Sequence, residues 1–190
     1  IDGGGAIDRF SETSDADFTV VGQTVHSVAT GTETLVGIEI IFLIGGASNN
    51  RLDASQSTLP VVLIGLGGDD ILGGGLANDT IDGGSGNDII NGGLGDDLLV
   101  GGEGNDGLSG FRGDDVLVGG NGNDLLVGHD GSDTIEGDAG QDTLVGGGGT
   151  SVDGDGPDTL TGGGAPALLR VDPSAIPAHA SEPLRACAHF

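Results

Sequence analysis

Between Gly65 and Val145 a nine-residue phrase is written nine times without a break, and no other feature limits the fold of this chain so severely. In register the copies read GLGGDDILG, GGLANDTID, GGSGNDIIN, GGLGDDLLV, GGEGNDGLS, GFRGDDVLV, GGNGNDLLV, GHDGSDTIE and GDAGQDTLV. Position one is always Gly, position six always Asp, and position eight always Leu or Ile; position four is Gly except for Ala77 in the second copy. A fixed short period means that each unit is one piece of supersecondary structure, able to bury its apolar side only by stacking on its neighbours.

The local chemistry of one copy predicts a turn followed by a strand. Glycines tolerate positive φ, and without a Cβ they let carbonyls curl toward a common point. Asn or Asp at position five (Asp69, Asn78, Asn87, Asp96, Asn105, Asp114, Asn123) accepts left-handed backbone better than most residues, so this position is expected to share the turn. The next three residues centre on Leu or Ile, and strand side chains alternate, so position eight faces inward while seven and nine face out. A three-residue strand is unstable alone, but coils stacked about 4.8 Å apart give it two partners.

The consensus G-G-x-G-x-D-x-U-x resembles the RTX (haemolysin-type) calcium-binding nonapeptide family over about eighty contiguous residues in one register. The resemblance implies an all-β fold, a right-handed parallel β-roll with two nonapeptides per coil and turns stacked on both edges. It also implies Ca²⁺ between the stacked turns, and the donors agree: each turn offers a carboxylate and carbonyls, with no imidazole or thiolate. Oxygen-only sites of loose geometry suit Ca²⁺ better than Zn²⁺. The carboxylate ligands would be Asp70, Asp79, Asp88, Asp97, Asp106, Asp115, Asp124, Asp133 and Asp142. Turns on one edge lie eighteen residues apart in such a roll, so ions fall between Asp70 and Asp88, Asp79 and Asp97, and so on to Asp124 and Asp142, about seven full sites. In the family the other ligands are turn carbonyls near positions two and four, here Gly84, Gly86, Gly93, Gly95, Gly102, Gly104, Gly113, Gly120, Gly122, Gly131 and Gly140. Leu66, Phe111, His129 and Asp138 replace Gly at position two, which a carbonyl ligand survives where the backbone angles stay accessible. The competing account is that these Asp residues only cap turns; nine at one phase argue against it.

Composition excludes several functions. The formal charge of −25, with five basic residues that are all Arg, makes nucleic acid or an anionic membrane an improbable partner for this segment. The longest apolar run, Leu35 to Ile44, contains Glu39 and is too short to span a bilayer as a helix, so no membrane insertion is expected. A single Cys187 excludes an internal disulfide framework. No HExxH, G-x-S-x-G or P-loop Lys occurs, and the paired carboxylates fall at the repeat phase, so the segment is not expected to be an enzyme. Arg112-Gly113-Asp114 spells an integrin-type tripeptide and Asn78-Asp79-Thr80 a glycosylation sequon, but both lie inside turns that the repeat already accounts for.

Outside the repeats the pattern loosens. GGGAIDRFS from Gly3 puts Asp8 and Phe10 at positions six and eight, which suggests a chain that opens inside a repeat of a longer protein. Residues Asp17–Gly22, Gln23–Ala29 and Leu35–Ile44 read as strands of ordinary length, with buried faces left open among Phe18, Val20, Ile38, Ile40 and Phe42. GGASNNRLD (Gly45–Asp53) keeps Leu52 but carries Ser48 for Gly and Asn50 for Asp, so its ion site would be weak. The segment Ala54–Ile64 delivers Leu63 to the position-eight phase. Residues 35–64 thus read as coils of the same stack with decayed calcium chemistry. The expected divisions are a degenerate N-terminal cap region (1–64), the roll (65–161) and an Ala/Pro-rich tail without order (162–190). After Val145 the register breaks, although Asp158 and Leu160 recover it.

Two outward faces are unexpectedly apolar, one with Leu98, Val100, Val116 and Val118, the other with Leu125, Val127 and Val145. Packing against another domain, or self-association through the Leu98/Val116 face, is weighed against plain β-propensity. The reading is a calcium-binding module of a secreted or cell-surface bacterial protein that folds on binding Ca²⁺ outside the cell. The alternatives are the non-catalytic C-terminal part of a secreted protease, lipase or haemolysin, and an adhesin or surface-layer array.

Overall fold

A computed structural model describes residues 9–21, 24–27, 31–147, 159–162 and 168–170. The phrase that follows each Asp is extended, as the period requires, but the strand runs further than its three apolar-centred residues. In β11 (Leu98–Glu103) and β13 (Val116–Asn121) it spans positions seven to nine and on through position three of the next copy. Leu98, Leu99 and Val100 pair in parallel with Val116, Leu117 and Val118; pairing skips position one and resumes as Gly102 with Gly120 and Glu103 with Asn121. The chain therefore rounds the corner while still hydrogen-bonded to the neighbouring coil, which is why glycine fills positions one and two.

Successive strands go to opposite sheets. One sheet takes eight strands from Arg9–Thr13 (β1) to Thr159–Thr161 (β17), the other ten, and neighbours in the repeat region are eighteen residues apart, as Leu108 with Leu126. Two nonapeptides per coil follow directly. The result is an all-β parallel solenoid, and no helix occurs among the described residues. Position-eight side chains fill the space between the sheets: Leu72, Ile81, Ile90, Leu99, Leu108, Leu117, Leu126, Ile135 and Leu144 are all buried. Positions seven and nine face out, so Leu98 (40% exposed) and Val116 (39%) lie side by side on the eight-stranded sheet.

The N-terminal coils extend the same stack, and Ile41 and Leu43 of β5 (Ile40–Ile44) pair with Val61 and Leu63 of β7 (Val61–Gly67). Phe10 follows on, paired with Ile41 and buried, whereas Asp8 lies outside the described residues. The expected strand Leu35–Ile44 is shorter, because Gly37 (φ 66°) turns the chain before Ile40. Of the residues with open faces, Phe18, Val20 and Ile38 point inward while Ile40 and Phe42 are only half-buried, the Arg9 guanidinium standing 5.6 Å from the Phe42 ring. The end of the ten-stranded sheet is not a coil at all. Phe18–Val21 (β2), Thr24–Ser27 (β3) and Gly31–Thr34 (β4) form an antiparallel meander, and β2 joins it to the roll by pairing with Arg51–Gln56 (β6). At the other end Leu160 pairs with Ile135 and Leu168–Arg170 (β18) pairs with Thr143–Val145, so a strand occurs inside the Ala/Pro-rich segment. Asp158 lies outside the described residues.

Candidate metal centre

Each turn brings its position-six Asp inward at the edge of the core. All nine side chains are 1–3% exposed, so the sequence-predicted carboxylates are buried together in two columns, one on each edge. Their first oxygen is accounted for. The backbone N–H of Asp88 donates to Oδ1 of Asp106 (2.8 Å), Asp106 to Asp124 (2.8 Å) and Asp124 to Asp142 (3.0 Å); on the other edge Asp79 donates to Asp97 (2.8 Å) and Asp97 to Asp115 (2.8 Å). The second oxygen is not. Oδ2 of Asp70, Asp88, Asp97, Asp106, Asp115, Asp124 and Asp142 is buried without a hydrogen-bond partner. A buried carboxylate oxygen left unsatisfied is expensive unless something positive meets it.

What surrounds those oxygens is more oxygen. A methyl group built on Gly83 would overlap both Oδ2 of Asp88 and the carbonyl of Gly101 one coil on. The same holds at Gly92 with Asp97 and Gly110, at Gly101 with Asp106 and Gly119, and at Gly119 with Asp124 and Gly137. Position one is thus the wall of a cradle into which a carboxylate oxygen and the next coil's position-one carbonyl converge. The resemblance implies carbonyls near positions two and four instead. Position one, glycine in every copy when neither of the others is, was the signal available.

The glycines expected to supply carbonyls form the turn itself. Gly84, Gly93, Gly102 and Gly120 at position two, and Gly86, Gly95, Gly104, Gly113, Gly122, Gly131 and Gly140 at position four, all have positive φ. Leu66, Phe111, His129 and Asp138 adopt the same left-handed backbone at φ 75°, 79°, 76° and 57°, so the turn survives a side chain there. Position five does not share this conformation; among the described residues no non-glycine other than those four has positive φ. It works through its side chain. The N–H of Asn105 bonds Oδ1 of Asn87 (2.9 Å) and that of Asn123 bonds Oδ1 of Asn105 (2.8 Å), with the amide nitrogens reinforcing the contacts at 3.1 and 3.2 Å. Position-five bonds run to the preceding coil and position-six bonds to the following one, so each turn is tied both ways.

The second copy departs from this pattern. Neither Gly75 nor Ala77 has positive φ, and Oδ2 of Asp79 accepts the N–H of Gly75 at 2.5 Å, so this carboxylate satisfies itself within its own turn.

Burial dominates the electrostatics. It raises the carboxyls of Asp70, Asp79 and Asp106 to about 6, Asp115 to about 7 and Asp97 to about 8, and pushes up Asp88 and Asp124 too. Backbone donors pull the other way, and neighbouring carboxylates add to the rise, as Asp124 and Asp88 do at Asp106. No group of three or more His, Cys, Asp or Glu converges among the described residues, so any ion here would be held by few carboxylates and many carbonyls. That donor set, hard and oxygen-only, fits Ca²⁺. The integrin-type tripeptide is folded into this framework: Gly113 has φ 128° and Arg112 pairs with Asp130 at 3.5 Å.

Among known proteins, the family described as RTX calcium-binding nonapeptide repeat (4 copies) matches residues 62–81, 73–108, 91–126, 109–144 and 118–152. No curated protein matches the chain.

Proposed function

Residues 62–152 belong to the RTX calcium-binding nonapeptide repeat family, and from that premise we propose that this chain is a calcium-dependent folding module of a secreted or cell-surface bacterial protein. The repeat segment is a non-catalytic calcium-binding module. The observation that carries the rest is the two columns of buried Oδ2 atoms without a hydrogen-bond partner, of which those of Asp70, Asp88, Asp97, Asp106, Asp115 and Asp124 each converge with a backbone carbonyl of the next coil.

In this reading the Asp carboxylates and the position-one carbonyls beside them hold the ions, together with turn carbonyls at positions two and four. Each ion ties coil to coil, so binding and folding are one equilibrium. Nearest-neighbour stacking makes that equilibrium cooperative along the roll. Extracellular calcium modules have Kd values of about 10⁻⁴–10⁻³ M, which would leave the roll unformed at the far lower free calcium inside a cell and folded outside it. The Asp79 turn, already closed by Gly75, would be the weakest member of its column.

Far-ultraviolet circular dichroism of the 190-residue chain in chelator, magnesium and calcium tests the proposal. A cooperative gain of β structure in millimolar calcium but not magnesium is expected. A β-rich spectrum already complete in chelator would overturn it.

A further inference from the structure

The two edges of the roll offer an ion the same buried donors but surround them with different outer rungs. At mid-roll one candidate site uses Asp97 and Asp115, the other Asp106 and Asp124, and all four Oδ2 atoms are buried without a hydrogen-bond partner. Their cradles match as well. A methyl group on Gly92 would meet Asp97 Oδ2 and Gly110 O, and one on Gly101 would meet Asp106 Oδ2 and Gly119 O.

Position five, the exposed residue just before each Asp, is where the edges part. Beside Asp106 and Asp124 it is Asn105 and Asn123, with Asn87 one coil before, and amide nitrogens bond Oδ1 along that ladder at 3.1 and 3.2 Å. Beside Asp97 and Asp115 it is Asp96 and Asp114. The N–H of Asp114 donates to Oδ1 of Asp96 (3.0 Å) and that of Ser132 to Oδ1 of Asp114 (2.8 Å), so both carboxylates are fixed one coil apart with no amide between them. Arg112 pairs with Asp130 at 3.5 Å and with neither of these. Their charge reaches the buried oxygens. Burial is the largest influence on the Asp115 carboxyl, and the charges of Asp133, Asp96 and Asp114 raise it further; at Asp97 those of Asp79, Asp115 and Asp96 do so. At Asp106 the further charges are Asp124 and Asp88, members of its own column.

We propose that Asp96 and Asp114 set the calcium affinity of their edge from outside the donor set. They make the Asp97/Asp115 side the tighter and more salt-sensitive one, while the side of Asn87, Asn105 and Asn123 is weaker for the ion and is tied by its amides. The inference rests on the calcium-binding reading above. A divalent ion attracts an outer carboxylate twice as strongly as one buried carboxylate repels it at the same distance, so the pair favours the loaded roll. For a carboxylate roughly 8 Å from such an ion, the attraction in water is a factor of about five in affinity at low salt and about two at physiological salt. Charge around a site is one of the means by which calcium affinity is tuned.

Calcium titration of the full chain, followed by circular dichroism in about 0.01 M and about 1 M potassium chloride, tests this, because the screening length falls from about 30 to about 3 Å. Asp96→Asn with Asp114→Asn rebuilds the ladder already present at Asn87, Asn105 and Asn123, so the roll should still form. Its midpoint should rise about fivefold in low salt and less than about twofold in high salt. Glu103→Gln with Glu136→Gln removes the same charge from exposed positions three and nine, and should shift the midpoint less than about twofold in either. No shift at Asp96 and Asp114, equal shifts for the two pairs, or a shift that survives high salt would overturn the inference. Absence of any calcium-induced change, in the unaltered chain too, would instead count against the proposed function.

Discussion

Two kinds of turn stack in this molecule, and they are closed by different means. In the N-terminal coils the position-six place is taken by Asn50 on one edge and by Val61 on the other, in line with Asp70 and Asp79. Asn50 is satisfied by protein alone: its Oδ1 accepts Gly46 N–H at 2.7 Å and its amide donates to Asp15 Oδ1 at 3.3 Å, while Asp15 is itself held by Ser48 (2.8 Å to Oγ). Below Val61, Ser57 closes its own turn through Leu59, accepting the Leu59 N–H at 3.2 Å. At Asp70, and from Asp88 through Asp97, Asp106 and Asp115 to Asp124, the same stack carries carboxylates whose second oxygen has no donor and lies beside a carbonyl of the next coil. Stacking coils therefore does not require buried Asp. The carboxylates are a burden on the fold in the absence of a cation; on one edge the two solutions meet between Asn50 and Asp70, and on the other at Asp79, half closed by Gly75.

The comparison breaks most sharply at position one of a repeat turn. A Cβ on Gly101 would stand 2.5 Å from Asp106 Oδ2 and 2.6 Å from Gly119 O, with backbone on one side and a fixed carboxylate on the other. Gly101→Ala should raise the calcium midpoint of folding roughly tenfold, from overpacking of about 1–3 kcal/mol and loss of the cradle. A calcium titration followed by circular dichroism checks it; a midpoint within twofold of the unaltered chain would mean that the cradle holds nothing.

The next test divides one column. Asp97→Asn removes a carboxylate whose Oδ2 has no partner, whereas Asp79→Asn alters one already bonded to Gly75. The first should shift the midpoint several-fold and the second about half as far on a logarithmic scale, a nearest-neighbour difference within one stack. Equal shifts would place an ion at Asp79 as firm as the rest.

A smaller effect should follow from pH in chelator. Burial raises the Asp70, Asp79, Asp106, Asp115 and Asp97 carboxyls from the ordinary 3.8 to between about 6 and 8. The ion-free folded state then holds protons that the unfolded chain has released, so its stability is greatest below pH about 4 and falls as pH rises through 6 to 8. Acidification from pH 8 to 5 should restore part of the β signal without calcium, while in calcium the same change should raise the midpoint as protons compete for the carboxylates. No acid-induced gain in chelator would mean that the Asp columns do not limit the ion-free fold.

Much of this was legible in the chain because the period carries it. Nine copies of one phase fix the Asp columns and the Leu/Ile core, and the decayed copy at Gly45–Asp53 places Asn50 in the same column. Where the period fails, legibility fails with it. The antiparallel meander of Phe18–Val21, Thr24–Ser27 and Gly31–Thr34 depends on pairing partners that no local pattern names, and Leu168–Arg170 pairs with Thr143–Val145 from within an Ala/Pro-rich stretch. The ladder through Asn87, Asn105 and Asn123 was hidden for another reason: Asn at position five suggests backbone conformation first, and only the stacking distance reveals that its side chain reaches the next coil.

The smallest expected effect marks which glycines belong to the site. Gly107 occupies position seven, on the outer face of a strand between Ile89 and Leu125, and a Cβ there would meet only the carbonyl of Asp88, 4.0 Å away. Its φ is not in the left-handed region. Gly107→Ala should therefore stabilise the folded roll slightly, by about 0.4–1 kcal/mol, because the unfolded chain loses conformational freedom while nothing in the stack must move. The calcium midpoint should fall by less than roughly fivefold, opposite in sign to Gly101→Ala six residues away. A loss of stability at Gly107 would show that any added bulk disrupts the roll, and the effect of Gly101→Ala would then say nothing particular about the converging oxygens of Asp106 and Gly119.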